Sequence, residues 1–198
     1  MPPRPRLRLP AAVLAAALLV TACAGAAAPV VSFDPTGPCT TDGQQPGAYP
    51  ELEALLPTEA DGKPPSSVDS GRTCTQAALG TLADAGVKDL RFAGATWEPG
   101  GTTGWTLAVF SADGLDPAVM RDFYETGARS ARRTEKVALA DTTVAGTAAK
   151  RLDVLMSDGT GQTVVAWQPK AGGPVWVLLA ADVGDTKVAQ LLEAFGSR

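Results

Sequence analysis

The sequence predicts an α+β protein with a single antiparallel sheet of about six strands and helices packed on it. Apolar residues alternate along six short segments, residues typical of tight turns separate most of these segments, and three other segments carry apolar residues at helical spacing. The predicted order of elements is α-β-β-α-β-β-β-β-α.

The first predicted helix begins near Cys74 and ends at Gly86. Thr73 or Thr75 supplies its N-cap. Its apolar face consists of Ala78, Leu79, Leu82 and Ala85. Two of these four side chains are small, which favours close packing onto a sheet.

Two strands follow, from Asp89 to Trp97 and from Trp105 to Ser111, each with alternating side chains. The segment 98–104 between them reads EPGGTTG, which is rich in turn-forming residues. The two strands are therefore predicted to pair as a hairpin.

A second helix is predicted from Pro117 to about Arg132, with Asp116 as its N-cap and proline in the first helical position. Its inner face is formed by Val119, Met120, Phe123, Tyr124 and Gly127.

Four further strands are predicted at 135–139, 148–156, 162–168 and 175–181, joined by tight turns as an antiparallel meander. The segment 175–181 is apolar on both alternating faces, which indicates a central strand covered on both sides. A final helix, capped by Asp185, carries Val188, Leu191, Leu192 and Phe195 at helical spacing.

The N-terminal 22 residues have the plan of a signal peptide: arginines at 4, 6 and 8, an apolar run over 11–20, and small residues after it. That run is half the roughly 20 residues that a membrane-spanning helix needs.

Val20-Thr21-Ala22-Cys23 resembles the lipobox of bacterial lipoproteins. The resemblance implies cleavage before an acylated Cys23 and a lipid anchor on the extracytoplasmic face of the cell membrane; the alternative is an ordinary secretory peptide with a cysteine by chance. The predicted organisation is a signal peptide (1–22), a flexible tether (23–48) and a single α+β domain (49–198).

Two cysteines remain besides Cys23, and an oxidising compartment favours a disulfide between Cys39 and Cys74. The bond closes a loop of 35 residues, for which the chain-entropy estimate is about 3 to 4 kcal/mol. The alternative is two unpaired thiols.

Charge and composition restrict the function. Removing residues 1–22 leaves 14 basic and 21 acidic residues, a net charge of −7 that does not favour nucleic acid as a partner. The chain has no histidine and no nucleophile-elbow, phosphate-loop or dinucleotide-binding motif, so no cofactor is predicted and an enzyme is not expected. The remaining enzymatic alternative is a hydrolase that uses a pair of carboxylates such as Asp153 and Asp158.

Other candidate sites have plain structural alternatives. Asp182, Asp185 and the carbonyl of Gly184 offer oxygen ligands for calcium but match no known calcium loop, so no metal site is predicted. The tryptophans near the hairpin ends, Trp97 and Trp105, are candidates for a partner or ligand surface, with core packing as the alternative.

A basic ridge is also possible. Arg129, Arg132 and Arg133 have the spacing of one helical ridge that contacts anionic lipid or a protein partner, with a solvated helix end as the alternative.

The lipobox, the cysteine pair and the opening segment 49–57, YPELEALLP, together resemble small actinobacterial cell-envelope lipoproteins of uncharacterised function. The resemblance implies an envelope location, a non-catalytic role and a PsbP-like fold. The leading hypothesis is a non-enzymatic binding or scaffold module that engages another envelope protein. The alternative is a carrier of a lipid or another apolar ligand, housed between sheet and helices in space left by Ala77, Ala78, Gly80 and Ala83.

Overall fold

Eight antiparallel strands form one sheet in the computed structural model, which describes residues 33–196 of the chain. The strands are β1 (Gly43–Gln45), β2 (Ser67–Thr73), β3 (Leu90–Gly100), β4 (Thr103–Ser111), β5 (Thr134–Val144), β6 (Thr147–Met156), β7 (Gly161–Trp167) and β8 (Val175–Ala181). The helices are α1 (Pro50–Glu53), α2 (Gln76–Leu79), α3 (Thr81–Asp84), α4 (Pro117–Ser130) and α5 (Asp185–Gly196). The strand order across the sheet is β1-β2-β3-β4-β8-β7-β6-β5. The α+β class with one antiparallel sheet is thus confirmed, but the sheet has eight strands rather than about six.

The two additional strands lie where no strand was predicted: β1 lies within the predicted tether, and β2 lies between the tether and the first predicted helix. Strand β2 is polar and carries a single large apolar residue, Val68, so it lacks the alternation that marks a strand. It is held instead by hydrogen bonds: the buried hydroxyl of Ser70 accepts from the Tyr49 amide at 2.8 Å and donates to the Glu53 carboxylate at 2.7 Å. Specific tertiary contacts therefore place this strand where the pattern of hydrophobicity could not.

The predicted first helix is divided in two. Thr75, one of the two predicted N-caps, caps α2, and its hydroxyl accepts from the Ala78 amide. Gly80 then adopts a positive φ of 51° and separates α2 from α3. A left-handed residue cannot continue an α-helix, which explains the interruption.

The rest of the predicted order is confirmed. β3 and β4 form the predicted hairpin, and β5 to β8 form the meander. β8 is central, with β4 on one side and β7 on the other. The second helix ends at Ser130, two residues earlier than predicted.

Each side of the sheet packs against its own helices. We call face A the side whose buried residues, among them Trp97, Val165 and Leu178, pack with α1 and α5. We call face B the side on which Leu152, Val164 and Val177 pack with α2, α3 and α4. The two apolar clusters explain why the strand β8 is buried on both of its faces.

The beginning of the described chain is fixed to the sheet. Cys39 and Cys74 form the predicted disulfide, with a Cα–Cα distance of 5.5 Å. Arg72 is 3% exposed, and its guanidinium donates to the carbonyl oxygens of Asp34, Gly37 and Pro38. Residues 34–39, which the sequence assigned to the flexible tether, are therefore bound to the sheet.

Candidate functional site

A cavity of about 630 Å³ lies between α4, α2 and face B of the sheet. Its floor is formed by apolar side chains of three neighbouring strands, Leu152 and Val154 of β6, Val164 of β7 and Leu179 of β8. Its volume falls within the roughly 300 to 1,000 Å³ that is usual for sites that bind small molecules. The cavity is the strongest candidate for a functional site in the described part of the chain.

The space exists because the helix residues above the floor are small. Ala77, Ala78 and Gly80 line one side, as the sequence analysis proposed, whereas Ala83 packs within the neighbouring apolar cluster and does not line the cavity. On α4 the lining residue Gly127 has nothing within 4 Å of the position that a Cβ atom would occupy. Small side chains on both helices thus keep the helices from filling the sheet surface.

Two residues with hydroxyl groups, Tyr124 and Thr81, line the cavity. Burial raises the pKa of the Tyr124 phenol, so this group keeps its proton at neutral pH. The buried Thr81 hydroxyl has no hydrogen-bond partner within residues 33–196. Both hydroxyls can donate a hydrogen bond to a ligand in the cavity.

A second cavity, of about 580 Å³, continues from the first along face B towards the β3–β4 hairpin. The two cavities share Gln162, Val164 and Leu179 in their walls, so they adjoin on face B, and we call the two together the groove. The register of the sheet places one row of opposed residues along it: Thr96, Thr106, Leu179, Val164 and Leu152. Four strand spacings separate the ends of this row, a distance of about 19 Å.

The chemistry of the groove changes along its length. Beneath α4 the floor is aliphatic, whereas at the hairpin end Thr96 and Thr106 oppose each other with their hydroxyl oxygens 2.9 Å apart. Within residues 33–196, no Lys or Arg lines either cavity, and Glu98 at the hairpin end is the only lining carboxylate. The groove therefore has an apolar half and a hydroxyl-rich half without a positive charge.

The tryptophans singled out from the sequence are core residues. Trp97 is 3% exposed, stacks on Phe195 of α5 at 5.9 Å between ring centroids and donates to the Lys63 carbonyl. Trp105 is 7% exposed and lies beneath the ammonium group of Lys187, and it is also among the residues that line the second cavity. Neither ring contributes to an exposed aromatic patch, because both belong to face A under α5.

The three arginines do not form a helical ridge. Arg129 pairs with Glu125 one turn earlier on α4. Arg132 and Arg133 lie beyond the end of the helix at Ser130, and Arg133 pairs with Asp158.

The acidic residues singled out from the sequence are also bound elsewhere. Asp153 accepts from the Arg151 guanidinium and the Thr163 hydroxyl, and Asp158 accepts from Thr160 as well as Arg133. Each carboxylate therefore has its own partners, and no hydrogen bond within residues 33–196 joins the two in one site.

The residues considered for calcium show the same pattern. Asp185 is the first residue of α5 and pairs with Arg151, while Asp182 accepts from the Thr102 hydroxyl at 2.7 Å. Within residues 33–196, the one group of cysteine and acidic side chains close enough to share a metal ion is Cys39, Cys74 and Asp89, and its two cysteines are joined in the disulfide.

The signal peptide and Cys23 lie outside the described residues. Between residues 33 and 196, no helix has both the length and the apolar character required to cross a membrane. Comparison of the chain with protein-family models, with curated proteins and with solved structures finds no match.

Most of the groove was not predicted from the sequence. The small residues of α2 were named as a source of space, but Tyr124 and Gly127 were interpreted as part of a packed inner face of α4. The available signal was Gly127 itself, since a glycine inside a predicted helix costs stability and calls for a packing or functional reason.

Proposed function

We propose that this protein is a non-enzymatic binding module of the cell envelope that holds an apolar ligand, such as a single acyl chain, in the groove on face B. The observation that carries this proposal is the cavity of about 630 Å³ with an aliphatic floor between α4 and the sheet. Burying apolar surface there favours binding by roughly 25 cal/mol per Å² before the cost of association is subtracted.

The envelope location depends on the lipid anchor at Cys23, which is part of the proposal. Its supports are the lipobox-like segment 20–23 and the disulfide, a bond typical of oxidising compartments. Phe33 follows Cys23 by ten residues, so the intervening chain spans at most about 35 Å. An anchored groove of this kind would work within a short distance of the membrane that supplies its ligand. The PsbP-like fold belongs to the same proposal, supported by an antiparallel sheet with helices on it.

The scaffold role is the second candidate, and one observation favours it. Strand β5 is a long edge strand of 11 residues, and its Leu139 is 43% exposed. An exposed edge offers backbone groups for strand addition by another protein. A carboxylate hydrolase has less support, since Asp153 and Asp158 are each engaged by other groups.

The test uses the full chain with Cys23→Ala, which removes the proposed acylation site and allows detergent-free purification. Native mass spectrometry should detect co-purifying apolar molecules, and the delipidated chain should bind 1-decanol with a rise in unfolding temperature. Gly127→Leu and Ala78→Leu fill the cavity from opposite sides and should each abolish both effects. Asp122→Leu is the matched control, because it adds the same side chain to an exposed position of α4 outside the groove.

The outcomes separate the two candidates. A folded chain that yields ligand-free spectra and does not bind 1-decanol would overturn the carrier proposal. If Leu139→Lys then removed a protein cross-linked to the chain in the envelope, the scaffold role would take its place.

A further inference from the structure

We infer that the ligand of this groove is an amphiphile with one alkyl chain under α4 and an uncharged, hydroxyl-bearing head group at the β3–β4 hairpin. This inference rests on the proposed function and adds to it the class and the orientation of the ligand.

The orientation follows from the row of residues on the groove floor. Leu152, Val164 and Leu179 form the half beneath α4, and Thr106 and Thr96 continue the same row onto the hairpin. An alkyl chain loses its unfavourable contact with water only over the aliphatic half. The polar end of the same molecule is then directed to the threonines.

The hydrogen-bonding groups at the hairpin suit a head group that both donates and accepts. The Thr96 and Thr106 hydroxyls bond to one another, which uses one proton and leaves the other hydroxyl free to donate. Gln162, where the two halves meet, adds an amide with donors and an acceptor. Sugar and glycerol hydroxyls offer the complementary groups.

Charge argues against an anionic head group. Phosphate and carboxylate groups are usually bound by Arg, Lys or a helix N-terminus. In the described part of the chain, no residue that lines the hairpin half is Lys or Arg, and Glu98 places a negative charge there. A phosphate at this position would face a like charge without a lining cation from that part of the chain.

The experiment compares decyl maltoside with decyl phosphate, below their micellar concentrations, on the full chain with Cys23→Ala. The maltoside should bind at least about tenfold more tightly than the phosphate. Thr106→Val should weaken maltoside binding by about three- to tenfold, as expected for one lost hydrogen bond. Thr143→Val, at an exposed position of β5, is the matched control and should leave maltoside binding unchanged.

Equal affinity for the two head groups, or unchanged maltoside binding in Thr106→Val, would overturn this inference. If 1-decanol still bound in the same experiment, the head-group inference would be overturned, but the apolar site of the proposed function would still be supported. Absence of binding by all three probes would overturn both this inference and the proposed function.

Discussion

Val164 and Leu179 lie directly opposite each other on β7 and β8, and their side chains form the point at which the groove beneath α4 joins the threonine-lined end at the hairpin. Both cavities are lined by this pair, so a ligand that occupies both must pass over Val164 and Leu179.

Affinity should increase with the length of the alkyl chain and then level off. Each buried CH₂ group contributes about 0.8 kcal/mol, or roughly a fourfold gain in affinity, for as long as the aliphatic half can bury it. Titration calorimetry with a series of alkyl maltosides should show this slope followed by a plateau. The same low affinity for all chain lengths would contradict an alkyl-binding groove.

Two threonines near α2 and α3 should respond in opposite ways to replacement by valine. Thr75→Val removes both the N-cap of α2 and the hydroxyl that donates to the Asp42 carboxylate, and it should destabilise the protein by about 2 kcal/mol. Thr81→Val removes a buried hydroxyl without a partner and should leave the free energy of unfolding unchanged or raise it. Urea denaturation of both variants measures the difference, and a larger loss for Thr81→Val would be inconsistent with the orphaned hydroxyl.

Removing the disulfide should destabilise the fold without removing the sheet. The bond closes a loop of 35 residues, so Cys39→Ser with Cys74→Ser should lower the free energy of unfolding by about 3 to 4 kcal/mol. Cys23→Ala, which leaves the bond intact, is the control. Equal denaturation midpoints for the two proteins would mean that the pair contributes nothing to stability.

The contribution of Asp42 to stability should disappear in acid. Burial raises its pKa, but hydrogen bonds from the Thr75 hydroxyl and from the Cys74 and Thr75 amides outweigh this and hold the pKa below its ordinary 3.8. A carboxylate whose pKa is lowered by folding stabilises the fold at pH values above its pKa in the unfolded chain. This stabilisation is lost as the pH falls through its pKa in the folded protein.

Asp42→Ala should therefore cost stability at neutral pH, and the difference from the parent protein should shrink below pH 3.8. Paired denaturation curves across this range measure the difference. If the difference in free energy of unfolding between the two proteins stayed constant with pH, the hydrogen bonds to Asp42 would not depend on the negative charge of its carboxylate.

The elements that the sequence predicts well are those whose pattern arises from burial on one or both faces. Strand β8 was placed at its observed bounds and in the centre of the sheet, because all of its residues are apolar. The hairpin turn and the Asp116 cap of α4 were likewise readable, since glycine-rich turns and helix caps have local signatures.

What the sequence could not predict depends on contacts between distant residues. β2 is held by the Ser70 network and by Arg72, whose partners lie more than 30 residues away in the chain. The groove has the same origin, since only the register of five strands aligns Thr96 with Leu152. Burial of Trp97 and Trp105 followed from α5 packing over the hairpin strands, a contact that residue spacing does not reveal.

The most direct test of the binding groove is photo-crosslinking with a decyl maltoside that carries a diazirine near the end of its alkyl chain. After irradiation of the full chain with Cys23→Ala, peptide mass spectrometry should locate the label on the floor and roof of the cavity, at Tyr124, Leu152 or Val164. Excess unlabelled decyl maltoside should remove it. Label confined to face A or to the β5 edge, or insensitive to this competition, would contradict an apolar binding site between α4 and the sheet.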